Sequence, residues 1–148
     1  MSCDPSALAS TVTVPSAETA GRLVAVAVAH GEALGIAVAA AVVDPCGRMM
    51  AFLTHPAAPV ECSAIARDKA STSAGFRVAT TALLSTVSGN DALREGLTAR
   101  GSVILFGGGF PISFGGEHGG GIGVSGGSEE QDAACAKAAL RAVIGHIE

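Results

Sequence analysis

The sequence predicts an α+β domain in which helices pack on a mostly antiparallel sheet. Apolar runs of strand length occur in neighbouring pairs with turn residues between them, a pattern typical of hairpins. Segments with helix start and stop signals lie before, between and after these pairs. Strands grouped in this way, rather than alternating singly with helices, favour helices packed on a sheet over a parallel α/β fold.

Four segments are predicted to be helical: residues 16–34, 60–76, 80–87 and 128–144. The first begins at Ser16, whose hydroxyl can cap a helix, and ends at Gly35. The last begins at Ser128, which has capping-box spacing to Gln131, and Gly145 is its stop signal. These signals place one helix near each end of the predicted domain.

Five segments are predicted to be strands: residues 36–43, 48–53, 102–106, 112–114 and 121–125. The first two form a hairpin across the turn sequence Asp-Pro-Cys-Gly. The last two form a second hairpin across a glycine-containing turn, and the apolar run before them is an additional strand. The predicted order is therefore helix, two strands, helices, three strands and helix.

The composition limits both the domain organisation and the function class. Residues 1–13 lack a periodic pattern and are predicted to be a flexible N-terminal arm, followed by a single domain over residues 14–148. Hydrophobic residues at 49% and charged residues at 15% exclude a disordered chain. The net charge of −4, with Phe as the only aromatic type, argues against nucleic-acid binding. So few charges on a small domain predict that part of the surface is covered in a homo-oligomer.

The sequence predicts a cytoplasmic protein without a membrane span. The first residues lack a basic segment followed by an apolar one, so we expect no signal peptide. The apolar stretch 23–43 contains His30 and Glu32 near its middle, where charge is costly in a bilayer. The cysteines have neither CxxC nor zinc-finger spacing and are expected to be reduced thiols: Cys3, Cys46, Cys62 and Cys135.

Residues 121–126 match the pattern GxGxxG, but the surrounding sequence excludes a dinucleotide site. That site needs a parallel βαβ unit, and no further strand is predicted after the last helix begins. Two interpretations remain for the glycines. They allow tight turns and close strand packing, or they let backbone amides at the start of the last helix hold an anion.

The glycine-rich segments resemble a known family. Residues 107–112 read Gly-Gly-Gly-Phe-Pro-Ile, and residues 121–132 read Gly-Ile-Gly-Val-Ser-Gly-Gly-Ser-Glu-Glu-Gln-Asp. Together they look like the hallmark of the GlcG/HbpS/PduO C-terminal family, also labelled haem-degrading or DUF336. The apolar strand ending at Asp44 and the Asp68-Lys69-Ala70 segment are similar to two further family motifs. The resemblance implies a profilin-like α-β-α sandwich with a central antiparallel sheet, and a homo-oligomer.

What the resemblance implies about function is a class of ligand rather than one activity. The family includes haem-binding proteins, a domain fused to a corrinoid adenosyltransferase and many operon proteins, so haem is the cofactor it suggests. Where the family commonly has an Arg-Met-Asp-Gly-Ala-like loop, residues 54–58 here read Thr-His-Pro-Ala-Ala. The usual cation and carboxylate are missing, and His55 stands in that loop.

The candidate site residues are expected to meet in a pocket between the glycine-rich loops, residues 54–62 and the second helix. His55 and His30 are candidate metal ligands, because imidazole is the commonest axial ligand of haem iron. His55 and Glu61 are also a candidate acid–base pair. The candidate ligand-binding residues are Arg67 and Lys69, as cations for carboxylates, with Gly108, Gly109, Phe110, Ser125 and Gly126.

Purely structural roles are open for the same residues. His30 can be a surface residue near a helix end, and Glu61 can simply favour the helix dipole. Arg67 and Lys69 can belong to a charge cluster within one helix.

The leading functional hypothesis is a protein that binds haem or a similar planar or acidic small molecule. A second hypothesis is a cofactor-independent isomerase, cyclase or hydrolase that uses His55 and Glu61, with glycine-loop amides holding an oxyanion. The third is a structural accessory subunit.

Overall fold

The computed structural model describes residues 4–147, which form a three-layer α-β-α sandwich. The elements are α1 (Ala17–Ala33), β1 (Ala39–Val43), β2 (Met49–Thr54), α2 (Glu61–Phe76), α3 (Thr80–Val87), α4 (Asp91–Ala99), β3 (Gly109–Phe114), β4 (Glu117–Ser125) and α5 (Glu129–Val143). The four strands have the order β2-β1-β4-β3, and every neighbouring pair is antiparallel. The predicted α+β class, with its central antiparallel sheet, is confirmed.

Alternation along β1 divides the core between the two faces of the sheet. Ala40 and Val42 pack with the buried residues of α1 and α5, in a cluster that also contains Ile112 and Leu140. The intervening residues of β1 pack with α2 in a second cluster made of smaller side chains: Ala39, Ala41, Val43, Cys62, Ala66, Ala70 and Ala74. The sheet is therefore covered by two helices on one face and by α2 on the other.

Glycines of β4 allow α2 to lie directly on the sheet. A Cβ atom at Gly121 would meet the carbonyl oxygen of Ala70, and one at Gly123 would meet that of Ala66. Any side chain at these positions would push the helix away, so the close packing requires glycine. This is the packing interpretation of the GxGxxG segment.

The helix ends follow the sequence signals closely. Ser16 Oγ accepts a hydrogen bond of 3.1 Å from the Thr19 amide at the start of α1. At the start of α5, Ser128 and Gln131 form both hydrogen bonds of a capping box. The capping signals identified in the sequence are therefore satisfied by real hydrogen bonds.

Between α3 and the second hairpin, one predicted strand was wrong and one helix was not predicted. Residues 102–106 are not a strand, because the Ile104 amide donates to Thr72 Oγ1 at 3.0 Å and ties the segment to α2 instead of the sheet. Residues 91–99 form α4, which we did not predict. Its apolar residues Leu93 and Leu97 are four positions apart, as expected on one face of a helix, although none of its side chains is fully buried. Asn90 caps it by accepting from the Leu93 amide at 3.0 Å.

The segment before α1 is exposed over most of residues 4–13 and contains one 3₁₀ turn, Pro5–Leu8. The first part of the predicted arm, residues 1–3, lies outside the described residues and includes Cys3. Within residues 4–147 the cysteines are free. Burial raises the pKa of the Cys135 thiol to about 11, and the Asp132 carboxylate adds to the effect. In the same part of the chain, no helix has the length and apolar character needed to cross a membrane.

Candidate functional site

A groove runs between α1 and α5 on the outer side of their layer. We call it the α1–α5 groove; its volume is about 480 Å³, and it is lined by His30, Glu130, Ala133, Ala134, Lys137, Ala138 and Arg141. All lining residues except His30 recur every three or four positions along α5, so they share one helix face. Three alanines give the groove an apolar part of its lining, and Glu130, Lys137 and Arg141 give it charged groups.

A second cavity continues the groove towards the glycine-rich loop. We call it the glycine-loop cavity; its volume is about 250 Å³, and it is lined by Thr81, Gly107, Gly108, Phe110, Glu129, Glu130, Ala133 and Lys137. Glu130, Ala133 and Lys137 line both spaces, so the groove and the cavity adjoin, and we describe them together as one site. The Lys137 ammonium lies 5.5 Å from the centre of the Phe110 ring, a cation–π distance.

Hydrogen bonds from three elements fix the glycine-rich loop. The Gly107 amide donates to Glu129 Oε1 at 2.6 Å, and the Gly108 carbonyl accepts from the Val124 amide at 2.9 Å. The Gly109 amide donates to Thr80 Oγ1 at 3.3 Å. The loop is therefore held in place by these hydrogen bonds and forms one wall of the site.

A buried ion pair lies directly behind this wall. Lys69 Nζ donates to Asp132 Oδ2 at 2.9 Å and to the Val124 carbonyl at 2.8 Å, and the Lys69 side chain is only 1% exposed. Asp132 Oδ1 accepts from the Gly127 amide at 2.8 Å. Burial raises the pKa of the Asp132 carboxyl, whereas the Gly127 amide and the Lys69 ammonium act in the opposite direction. Lys69 thus meets a carboxylate of the protein itself.

The glycine-loop residues named from the sequence divide into two groups. Gly108 and Phe110 line the glycine-loop cavity. Gly109 instead packs against α2, where a Cβ atom would crowd Ser73 Oγ at 2.8 Å. Ser125 is buried, and Gly126 packs on the backbone of residues 37 and 38. The structure therefore places only the first two beside open space.

His55, Glu61 and Arg67 line neither the α1–α5 groove nor the glycine-loop cavity. His55 Nδ1 accepts from the Ala57 amide at 3.0 Å, which leaves Nε2 protonated and facing Glu32 Oε1 at 3.1 Å. Both ring nitrogens are thus occupied within the protein. Glu61 and Arg67 are exposed on α2, and neither cavity takes a lining residue from 54–62.

The other two histidines also have partners in the protein. His118 Nε2 lies 2.8 Å from the Ala74 carbonyl oxygen, and His146 Nε2 lies 3.2 Å from Ser113 Oγ. Among residues 4–147, His30 is the histidine whose ring makes no hydrogen bond and lines the groove.

The sequence analysis missed the two cations of the site, Lys137 and Arg141. Their spacing of four residues, on the same α5 face as Glu130, was visible in the sequence. The missing information was which helix packs beside α5. Once α1 lies there, that face and His30 line one groove.

Comparison with known proteins gives a consistent result. A family model described as haem degrading protein HbpS-like matches residues 16–141. The corrinoid adenosyltransferase PduO of Citrobacter freundii is 36% identical over 124 residues, which are 82% of this chain and 37% of that protein. The chain therefore spans little more than a third of the length of the curated relatives it matches.

Solved structures are similar over nearly their whole length. A PduOC:heme complex has a TM-score of 0.82 at 32% identity, covering 88% of this chain and 96% of that one. The Klebsiella pneumoniae protein ORFY, a DUF336 protein, has a TM-score of 0.85 at 28% identity, covering 95% and 97% of the two chains. The comparison of folds and the comparison of sequences therefore identify the same group of related proteins.

Proposed function

The chain belongs to the HbpS-like family, and from that premise we propose that it binds haem, or a similar planar acidic small molecule, in the α1–α5 groove. The observation that carries the proposal is the position of His30. Its half-buried imidazole lines an alanine-lined groove together with the cations Lys137 and Arg141. A groove with these features offers complementary groups to a flat molecule with acidic substituents.

The chemistry of these residues fits haem in three respects. Haem supplies a flat apolar macrocycle, two carboxylates and an iron centre that accepts an imidazole nitrogen. His30 has a ring nitrogen free to ligate, whereas both nitrogens of His55 are engaged. Lys137 and Arg141 supply the cations that carboxylates need, and the alanines supply an apolar part of the lining.

A preformed metal complex fits this groove better than a bare ion does. No cluster of three or more His, Cys, Asp or Glu side chains suited to a metal occurs within residues 4–147. A single imidazole is a sufficient protein ligand only when the metal arrives with most of its coordination filled, as in haem. The PduOC structure in complex with heme supports the proposal, because that related domain accepts this cofactor.

Titration of the purified protein with hemin tests the proposal. We expect a saturable Soret band at one hemin per chain, shifted or lost in the His30→Ala variant. His55→Ala is the matched control. It removes the other imidazole that the sequence predicted as a metal ligand, and that imidazole faces Glu32 instead of the groove. A double Lys137→Gln, Arg141→Gln variant should keep the Soret position and weaken binding by about tenfold or more, because charged contacts to the carboxylates are lost.

Three outcomes would overturn this proposal. The first is the absence of a saturable band at stoichiometric hemin. The second is an unchanged spectrum in His30→Ala together with a changed one in His55→Ala, which would identify His55 as the haem ligand. The third is equal affinity for hemin in the wild type and in the double cation variant.

We further propose that the protein is a cytoplasmic homo-oligomer. Exposed apolar side chains support the assembly: Met49 at 37%, Phe52 at 41% and Leu53 at 39% exposure lie on the edge strand β2. Such side chains on a free sheet edge are commonly covered by another chain. Light scattering on the hemin-free and hemin-loaded protein measures the assembly and whether the ligand alters it.

A further inference from the structure

A separate cavity lies on the opposite side of the sheet, between α2 and α4. We call it the α2–α4 cavity; its volume is about 450 Å³, and its walls include Ser71, Phe76, Leu97, Arg100, Ser102 and Val103. It shares no lining residue with the α1–α5 groove or the glycine-loop cavity. Whatever occupies it is therefore independent of the haem proposal.

The chemistry of the walls selects for an anion with an apolar body. Arg100 is the only charged residue that lines the cavity, and it belongs to none of the ion pairs formed within residues 4–147. Phe76, Leu97 and Val103 supply an aromatic ring and aliphatic surface. A guanidinium prefers a carboxylate because it can donate two parallel hydrogen bonds to it.

Helix α4 forms one wall of the cavity, and its attachment to the rest of the chain allows this wall to adjust to a ligand. The helix buries none of its side chains, and a glycine with positive φ lies on each side of it, Gly89 at 86° and Gly101 at 78°. These conformations strongly favour glycine, so a backbone turn flanks the helix at each end. Leu97 on α4 and Arg100 at its C-terminal end then form one side of the cavity, while α2 forms the fixed side.

We propose that the α2–α4 cavity is a second ligand site, which binds small flat monocarboxylates such as aryl or arylacrylic acids. The carboxylate pairs with Arg100, and the ring lies between Phe76 and the aliphatic wall. Ser71 and Ser102 also line the cavity and can donate hydrogen bonds from their hydroxyl groups. Binding draws α4 against α2 and buries its apolar residues.

Sodium trans-cinnamate is a suitable probe, with cinnamyl alcohol as its uncharged analogue. Two-dimensional amide NMR of the full chain follows the binding while cinnamate is added to about 10 mM. At that concentration a site with a dissociation constant of about 1 mM or less is nearly saturated. We expect saturable shifts confined to residues of α2, α4 and the 100–103 segment. The alcohol should bind at least about tenfold more weakly, because it lacks the charge-assisted hydrogen bonds.

Two variants and two matched controls locate the site. Arg100→Gln should weaken cinnamate binding by about tenfold or more, whereas Arg94→Gln, which removes a cation already paired with Asp91, should not. Gly75→Leu should abolish binding, because Gly75 lines the cavity and a Cβ atom there meets open space. Gly96→Leu places the same side chain on α4 outside the lining residues and should leave binding unchanged.

The proposal is overturned if cinnamate causes no saturable shift, or if Arg94→Gln weakens binding as much as Arg100→Gln. Undiminished binding in Gly75→Leu also overturns it, and so do shifts centred on Lys137 and Ala133, which would assign the probe to the α1–α5 groove. Circular dichroism checks that each variant is folded. If Arg100→Gln fails to fold, the comparison of Gly75→Leu with Gly96→Leu still decides whether the probe binds in the α2–α4 cavity.

Discussion

The two faces of the sheet are built differently, and strand β4 shows the difference residue by residue. Towards α1 and α5 it presents Ile122 and Val124, which are fully buried in a core that mixes large aliphatic side chains with alanines. Towards α2 it presents Gly121 and Gly123, and the helix backbone lies directly on them. One strand thus supports a side-chain core on one face and a backbone contact on the other.

The α1–α5 groove and the α2–α4 cavity lie on the outer sides of these two layers. Where a helix lies directly on glycines, no side chain fits between helix and strand, and that contact has no space to adapt. On the other face, aliphatic side chains lie between the sheet and the helices α1 and α5, and the α1–α5 groove lies on the outer side of these helices. The α2 layer gains room only on its outer side, where α4 leaves the α2–α4 cavity.

The largest expected effect comes from the ion pair that connects the two faces, between Lys69 of α2 and Asp132 of α5. Lys69→Met should lower the free energy of unfolding by about 3–5 kcal/mol, because it leaves a buried carboxylate without its cation. Asp132→Asn should cost a similar amount for the converse reason. Urea denaturation followed by circular dichroism measures both.

The double variant Lys69→Met, Asp132→Asn distinguishes an ion pair from two separate packing contacts. We expect its loss to be smaller than the sum of the single losses by about 1–3 kcal/mol, since no unpaired charge remains. Arg94→Gln is the control, because it breaks an exposed pair expected to contribute about 0–1 kcal/mol. Simple additivity of the two buried substitutions would contradict a direct coupling between the layers.

The next effect tests the backbone contact itself. Gly123→Ala adds one methyl group where Lys69 Cβ would lie 2.8 Å away and the α2 backbone closer still. Because neither backbone can yield without moving the helix, we expect a loss of about 3 kcal/mol in the free energy of unfolding. Gly21→Ala in α1, where a Cβ atom meets nothing within 4 Å, should instead stabilise the protein by about 0.5–1 kcal/mol. Equal effects at the two sites would show that α2 does not lie tightly on β4.

Most of the fold was predictable because its signals are local. The capping box at Ser128, the helix stop at Gly35 and the turn at 44–47 each depend on a few adjacent residues, and the structure contains all of them. The exceptions depend on distant contacts. Residues 102–106 have the composition of a strand but are tied to Thr72 of α2, a partner that local sequence patterns do not reveal.

The candidate site was less predictable for the same physical reason. Gly108 and Phe110 could be named from the motif, whereas Lys137 and Arg141 acquire meaning only when α5 packs beside His30. Lys69 was predicted to bind a ligand carboxylate, whereas in the structure it pairs with a carboxylate of the protein itself. Its buried partner, Asp132, is 63 residues away in the chain, so the sequence alone left the role open to a ligand.

The smallest effect completes the comparison at the residue next to Gly123. Ile122→Val removes one methylene group from the aliphatic face, and we expect a loss of about 0.5–1.5 kcal/mol, because neighbouring side chains can partly fill the space. Adding one carbon at Gly123 should therefore cost more than removing one carbon at Ile122, as measured by urea denaturation under identical conditions. If Ile122→Val costs more than Gly123→Ala, the aliphatic face is the less adaptable of the two.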